Sequence, residues 1–161
     1  MASGTSRRTL EAGDEAPEIR LPDLNGEERT LSDFAPTGRT LVAFFKTTCP
    51  TCQLTFPYLD RMRGGRLAIV GISQDDEART REFNEHFGVH FPVLLDSEAS
   101  GYPVSNAFGL THVPSLYVLE PNGQIAWNSF GWSRKDIEAL AQMAGVEVFR
   151  PGEYVPEWKA G

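Results

Sequence analysis

Apolar residues along this chain fall into short continuous blocks separated by stretches with helical spacing. The strongest block, Leu41-Val42-Ala43-Phe44-Phe45, closes segment 40–45 and suits a strand buried on both faces. Leu67-Ala68-Ile69-Val70-Gly71-Ile72 has the same character. Between them Leu54, Tyr58 and Met62 recur at the spacing of one helix face, and Gly64-Gly65 ends the pattern. Pro50 stands where a first helical residue belongs, since its missing N–H needs no partner there. Pro57 is expected to kink this helix rather than stop it, because the pattern continues past it. Residues 40–72 therefore read as a βαβ unit with parallel strands.

The flanking segments extend this α/β pattern. Ile19 and Leu21 alternate with charged neighbours, Asn25-Gly26 signals a turn, and residues 29–31 return, which reads as a β-hairpin. Ser73-Gln74-Asp75-Asp76 caps a second helix carrying Phe83 and Phe87, and Gly88 closes it. A short strand over 91–95 and a short helix over 100–108 follow. Strands over 115–119 and 124–130 are joined by the turn Pro121-Asn122-Gly123, and a last helix runs from Ser133 to about Met143. The expected division is a loose leader over 1–15, one domain over 16–145 and a C-terminal tail over 146–161. No repeat or low-complexity segment is present.

The length of 161 residues holds one domain with a full core. A net charge of −7, with scattered Arg and Lys, lacks the basic footprint of nucleic-acid binding. The apolar blocks are far shorter than the ~20 residues of a membrane helix. Arg7-Arg8 suggests a twin-arginine export signal, but Thr9-Leu10-Glu11-Ala12-Gly13-Asp14-Glu15 supplies no apolar region after it. The expected location is the cytoplasm, or outside it if a native signal preceded Met1. With two cysteines in the chain, a catalytic pair is favoured over a structural disulfide.

Those cysteines lie in Lys46-Thr47-Thr48-Cys49-Pro50-Thr51-Cys52, between the first buried strand and its helix. A thiol at a helix start meets unpaired backbone N–H groups and the positive end of the helix dipole, both of which favour thiolate. Cys49 is thus placed to be a nucleophile near neutral pH, and Cys52, one turn on, is within reach of a disulfide with it. The pair reads as a two-electron redox switch.

Four stretches resemble the thioredoxin superfamily, and within it the TlpA/ResA-like, AhpC/TSA-type redoxin branch. Gly13-Asp14-Glu15-Ala16-Pro17 with Leu21-Pro22-Asp23-Leu24-Asn25-Gly26 is similar to the branch's opening hairpin. Cys49-Pro50-Thr51-Cys52 followed by Phe56-Pro57-Tyr58-Leu59 is similar to its active-site helix. Gly88-Val89-His90-Phe91-Pro92-Val93-Leu94-Leu95-Asp96 matches its central insertion, and Val113-Pro114-Ser115 its cis-proline segment. The resemblance implies a thioredoxin-like fold: a central mixed β-sheet flanked by helices, with an N-terminal β-hairpin and a central insertion. It implies a thiol–disulfide oxidoreductase with antioxidant activity and no cofactor beyond the redox-active disulfide. Cys49 would attack a substrate disulfide and Cys52 would resolve the mixed disulfide. Pro50, Thr51, Thr48 and a cis Pro114 would support the site, while Val113 and His112 would meet substrate. The expected partners are a disulfide-containing protein or small thiol and an electron-donating reductant, around a monomer.

Some positions depart from the pattern. Thioredoxins place an acid six residues before the first cysteine, where this chain has Ala43. ResA-like proteins often carry a glutamate three after the second, where Thr55 stands. Thr48 replaces the tryptophan that commonly precedes the first cysteine. The proton of Cys52 is thereby left to water or to another group. His112, if cationic and within ~6 Å, would lower the Cys49 pKa further. A peroxiredoxin-like peroxidase is the main alternative, but Pro-x-x-x-Thr/Ser-x-x-Cys is not met: Lys46 and Val42 occupy those positions before Cys49. A metal module is more remote. Cys49 and Cys52 with His86 and His90 imitate a zinc site at the wrong spacing, and copper held by the thiolates and His112 is its variant.

Overall fold

A computed structural model describes residues 8–161. Its centre is a five-stranded mixed sheet. β1 (Arg20–Pro22) and β2 (Glu28–Thr30) form a separate hairpin, and β3 (Thr40–Phe45) begins the main sheet. β3 is followed by α1 (Pro50–Asp60), β4 (Ala68–Ser73), α2 (Glu77–Phe87) and β5 (Val93–Leu95). Then come α3 (Pro103–Phe108), β6 (Ser115–Leu119), β7 (Ile125–Phe130), β8 (Trp132–Ser133), α4 (Arg134–Ala144) and β9 (Trp158–Lys159). The sheet order is β5-β4-β3-β6-β7, with β3 parallel to β4 and antiparallel to β6. The thioredoxin-like architecture read from the sequence is therefore present.

β3 is buried along its whole length because both of its faces are covered. Side chains alternate across a strand, so Leu41, Ala43 and Phe45 point one way and Val42 and Phe44 the other. The first set joins Phe56 and Leu59 of α1 and Ile137 and Leu140 of α4. The second joins Ile19 and Leu21 of the hairpin and Val104 and Phe108 of α3. In the first core the ring of Phe56 packs on those of Phe45, Phe83 and Phe91, and Phe45 also packs on Phe83.

The insertion is fastened by a buried acid. Asp96 is fully enclosed, and its carboxylate accepts from Val104 N at 3.0 Å and Ser105 N at 2.6 Å. These are free N–H groups at the start of α3. The helix expected over 100–108 begins at Pro103, after a 3-10 turn at Glu98–Ser100. α1 passes through Pro57 as expected but ends at Asp60, short of Gly64, with Met62 N bonded to Leu59 O in a tighter turn.

The N-terminal end of the chain differs from expectation, and the structure places the tail. Residues 1–7 of the loose leader lie outside the described residues. Residues 8–15 are not loose: Leu10 N donates to Phe108 O, Gly13 N donates to Ile125 O, and Ile125 N donates to Asp14 O. Backbone pairing is open to any side chain, so the polar composition of this stretch concealed it. The tail wraps α1. Arg61 makes two bonds to the Glu153 carboxylate, at 2.8 and 2.7 Å, and a third to Val148 O at 2.9 Å. Further on, β9 pairs with β8. Among the described residues no helix is long and apolar enough to cross a membrane.

Candidate active site

β3 ends at the sheet's C-terminal edge, and its exit loop delivers Cys49 as the N-cap of α1. Two contacts hold that loop: Thr47 N donates to Asp75 Oδ2 at 2.7 Å, and Gln53 Nε2 donates to Thr47 O at 3.0 Å. Pro50 takes the first helical position. Its ring leaves the next amides free to point at the cysteine, and Cys52 N lies 3.1 Å from Cys49 Sγ. Cys49 is half-buried and Cys52 fully enclosed among core side chains; both are free thiols in this structure.

This asymmetry sets the chemistry. The Cys49 pKa falls from 9.0 to about 6, chiefly because the Cys52 side chain donates a hydrogen bond to the sulfur. Partial burial opposes the shift, while the backbone amides of Cys52 and Thr51 and the charge of Lys159 add to it. Burial pushes the Cys52 thiol far above its ordinary value, and the neighbouring Cys49 thiolate pushes it further. One sulfur is thus ionised at neutral pH and the other holds its proton.

The opposite wall is the Val113–Pro114 segment, whose peptide bond is cis. Val113 O lies 3.5 Å from Cys49 Sγ and accepts its S–H when the thiol is protonated. Pro114 is buried, and its carbonyl accepts from Gly131 N at 2.9 Å. Thr48 and Pro50 are exposed at the rim. Thr51 is buried, and its hydroxyl donates to Ala160 O at 2.6 Å, so the tail reaches the site.

His112, two residues before Pro114, stays at the surface. Its ring is exposed and bonds Thr111 Oγ1 at 2.8 Å. The charge of Lys159 makes a small contribution to lowering the Cys49 pKa. Local spacing carries no signal of Lys159 or Asp75, since each arrives through tertiary contact, whereas Gln53 reaches Thr47 from the first turn of α1. At the two positions lacking acids, Ala43 is core, and the buried Thr55 hydroxyl bonds back to Thr51 O at 2.7 Å. The imagined zinc ligands do not converge. His90 Nδ1 lies 3.0 Å from Asp60 Oδ2 at the far end of α1, and among the described residues no three His, Cys, Asp or Glu side chains cluster as a metal site.

The AhpC/TSA family model matches residues 12–128. The chain is 27% identical over 127 residues to the thiol-disulfide oxidoreductase ResA of Geobacillus thermodenitrificans, covering 75% of this chain and 70% of that one. Among solved structures, it resembles the thioredoxin domain of a thiol-disulfide oxidoreductase from Bacteroides vulgatus. The TM-score there is 0.73 at 22% identity, with 84% of this chain and 99% of that one covered. A putative thiol:disulfide interchange protein DsbE from Chlorobium tepidum gives 0.71 at 24% identity, covering 83% and 95%. At these identities the two structures speak for the fold.

Proposed function

The chain belongs to the AhpC/TSA family, and we propose that Cys49 is the attacking and Cys52 the resolving thiol of a disulfide-exchange reaction. It is a thiol–disulfide oxidoreductase of the thioredoxin-like, ResA-like type. The observation that carries the assignment of roles is the divergent ionisation of two sulfurs one helical turn apart.

Cys49 thiolate attacks one sulfur of a substrate disulfide, forming a new S–S bond as the old one breaks. The departing thiolate takes a proton from water. Cys49 then no longer carries charge, so one cause of the high Cys52 pKa disappears. Cys52 releases its proton to water or to the departing group and attacks Cys49 sulfur. The second substrate thiolate leaves and the Cys49–Cys52 disulfide closes. Two electrons have passed from protein to substrate, and an external thiol reductant restores the dithiol by the reverse steps. Pro50, Thr48 and Pro114 shape the rim, Thr51 presents an amide to the thiolate, and Val113 offers main chain to the incoming residue.

The working unit in this reading is a monomer without a cofactor, acting in the cytoplasm with a separate electron donor. Stabilising the Cys49 thiolate favours the reduced form and moves the pair toward the oxidising end of the dithiol range. Equilibration in glutathione buffers reads that potential: near ~−270 mV the protein works as a reductant, near ~−120 mV as an oxidant. The activity itself is tested by mixing reduced protein with glutathione disulfide. Loss of both thiols with formation of an internal disulfide supports it, and persistence of both refutes it. The peroxidase alternative has less support, because the positions for its proline and hydroxyl hold buried Val42 and exposed Lys46.

A further inference from the structure

The chain beyond Val155 lies across the mouth of the dithiol site. Trp132 Nε1 donates to Pro156 O at 2.6 Å, and Arg134 N donates to Glu157 O at 2.9 Å. Lys159 then pairs with Trp132 in the β8–β9 ladder. Beyond the ladder, Ala160 O accepts from Thr51 Oγ1, on the α1 wall. Gly161 rests on the other wall, so close that a Cβ built on it would meet Val113 O at 2.5 Å. Residues 157–161 are all exposed. What holds them is hydrogen bonding through their own backbone rather than buried side chains, which is the mark of a reversible attachment.

A substrate has to use the same space. A cysteine bonded to Cys49 Sγ brings its Cα to within about 5.5–6 Å of the Cys49 Cα. Val113 O is 3.5 Å from that sulfur. A cysteine embedded in a polypeptide must therefore lead its main chain along the Val113 edge, where Ala160 and Gly161 lie. A small disulfide has no such chain to place.

We propose that residues 157–161 form a self-docked strap in the position of a substrate's extended segment, and that it selects small disulfides over cysteines within polypeptides. The proposal rests on the thiol–disulfide exchange reading above. Being tethered, the strap competes at high effective concentration. The apparent affinity for a polypeptide falls by the fraction of molecules in which the strap is undocked, while that for a small disulfide does not.

Gly161→Leu tests it, since a side chain there is driven into the Val113 carbonyl while Cys49, Cys52, Thr51 and Pro114 stay unchanged. Reduced wild-type and variant proteins are mixed in single turnover with insulin and, separately, with hydroxyethyl disulfide, which carries no peptide group. The expected result is a rise of about five- to tenfold in the insulin rate and a change below about twofold with hydroxyethyl disulfide. An insulin rate that is unchanged or lower overturns the strap, as does an equal rise with both substrates. If neither disulfide oxidises either protein, the exchange reading itself fails, a result distinct from an unchanged ratio of rates. Hydrogen exchange keeps the test open should Gly161→Leu not fold. In Cys52→Ser, the Arg134 amide, whose acceptor is Glu157 O, should exchange about tenfold faster with a cysteine peptide disulfide-bonded to Cys49 than with mercaptoethanol there. Equal protection in the two adducts overturns the proposal.

Discussion

Cys52 is fully buried, and its backbone nitrogen lies 3.1 Å from the Sγ of Cys49, so one residue both steadies its neighbour's thiolate and keeps its own proton. The expected consequence is a pH profile of alkylation belonging to a single sulfur. Iodoacetamide should label Cys49 with a half-maximal rate near its pKa of about 6, levelling off by about pH 8. Cys52 should remain unlabelled throughout in the native protein. A rate still climbing at pH 9, read by peptide mass mapping, would show an ordinary thiol instead.

Lys159 acts on this sulfur from the tail through its charge alone. Its charge is the smallest of the cited contributions to the Cys49 shift. Lys159→Ala should therefore raise the midpoint of that profile only modestly, by about half a pH unit. His112→Ala should leave it where it is. A profile displaced by His112→Ala and unmoved by Lys159→Ala would reverse the two assignments.

A second pH dependence belongs to the tail. Its bonds to Arg61 hold Glu153 at about 2, well below its ordinary 4.5. A carboxylate with a lowered folded pKa contributes its stabilisation above the unfolded value and loses it as pH falls through the folded one. The tail's anchor is thus fully present above pH 4.5 and is lost as pH falls toward 2. Arg61→Ala should lower Tm by about 2–4 °C at pH 7, and by less at pH 2, where about half of the wild-type Glu153 carboxylate is protonated. Equal shifts at both pH values would remove Glu153 from the explanation.

Much of this architecture is written locally. The block at 41–45 announces a strand covered on both faces, and Pro50 after Cys49 announces a helix start, because such features depend on near neighbours alone. Even the Val113–Pro114 segment is legible, through its resemblance to a family pattern. The partners of Arg61 and Thr51 are not. Glu153 and Ala160 sit about a hundred positions away, and a tail of mixed apolar, charged, Pro and Gly residues carries no periodicity to show where it docks.

Two buried groups anchor the fold in different ways. Phe56 is fully enclosed between Phe45, Phe83 and Phe91, where surrounding rings cannot close the gap it would leave. Phe56→Ala should lower the unfolding free energy by about 3–5 kcal/mol in urea titrations. Asp96→Ala should cost on the order of 3 kcal/mol by stranding the amides of Val104 and Ser105. A loss below about 1 kcal/mol in either case would mean that the site relaxes or admits water.

Trapping the mixed disulfide tests the division of labour between the two sulfurs most directly. Cys52→Ser keeps the attacking thiol and removes the resolving one, so reduced protein mixed with a disulfide substrate should accumulate a stable adduct on Cys49, visible by non-reducing electrophoresis and mass spectrometry. Cys49→Ser, with its remaining thiol buried and protonated, should accumulate none. Equal adducts on both variants, or an adduct only on Cys49→Ser, would contradict the assignment.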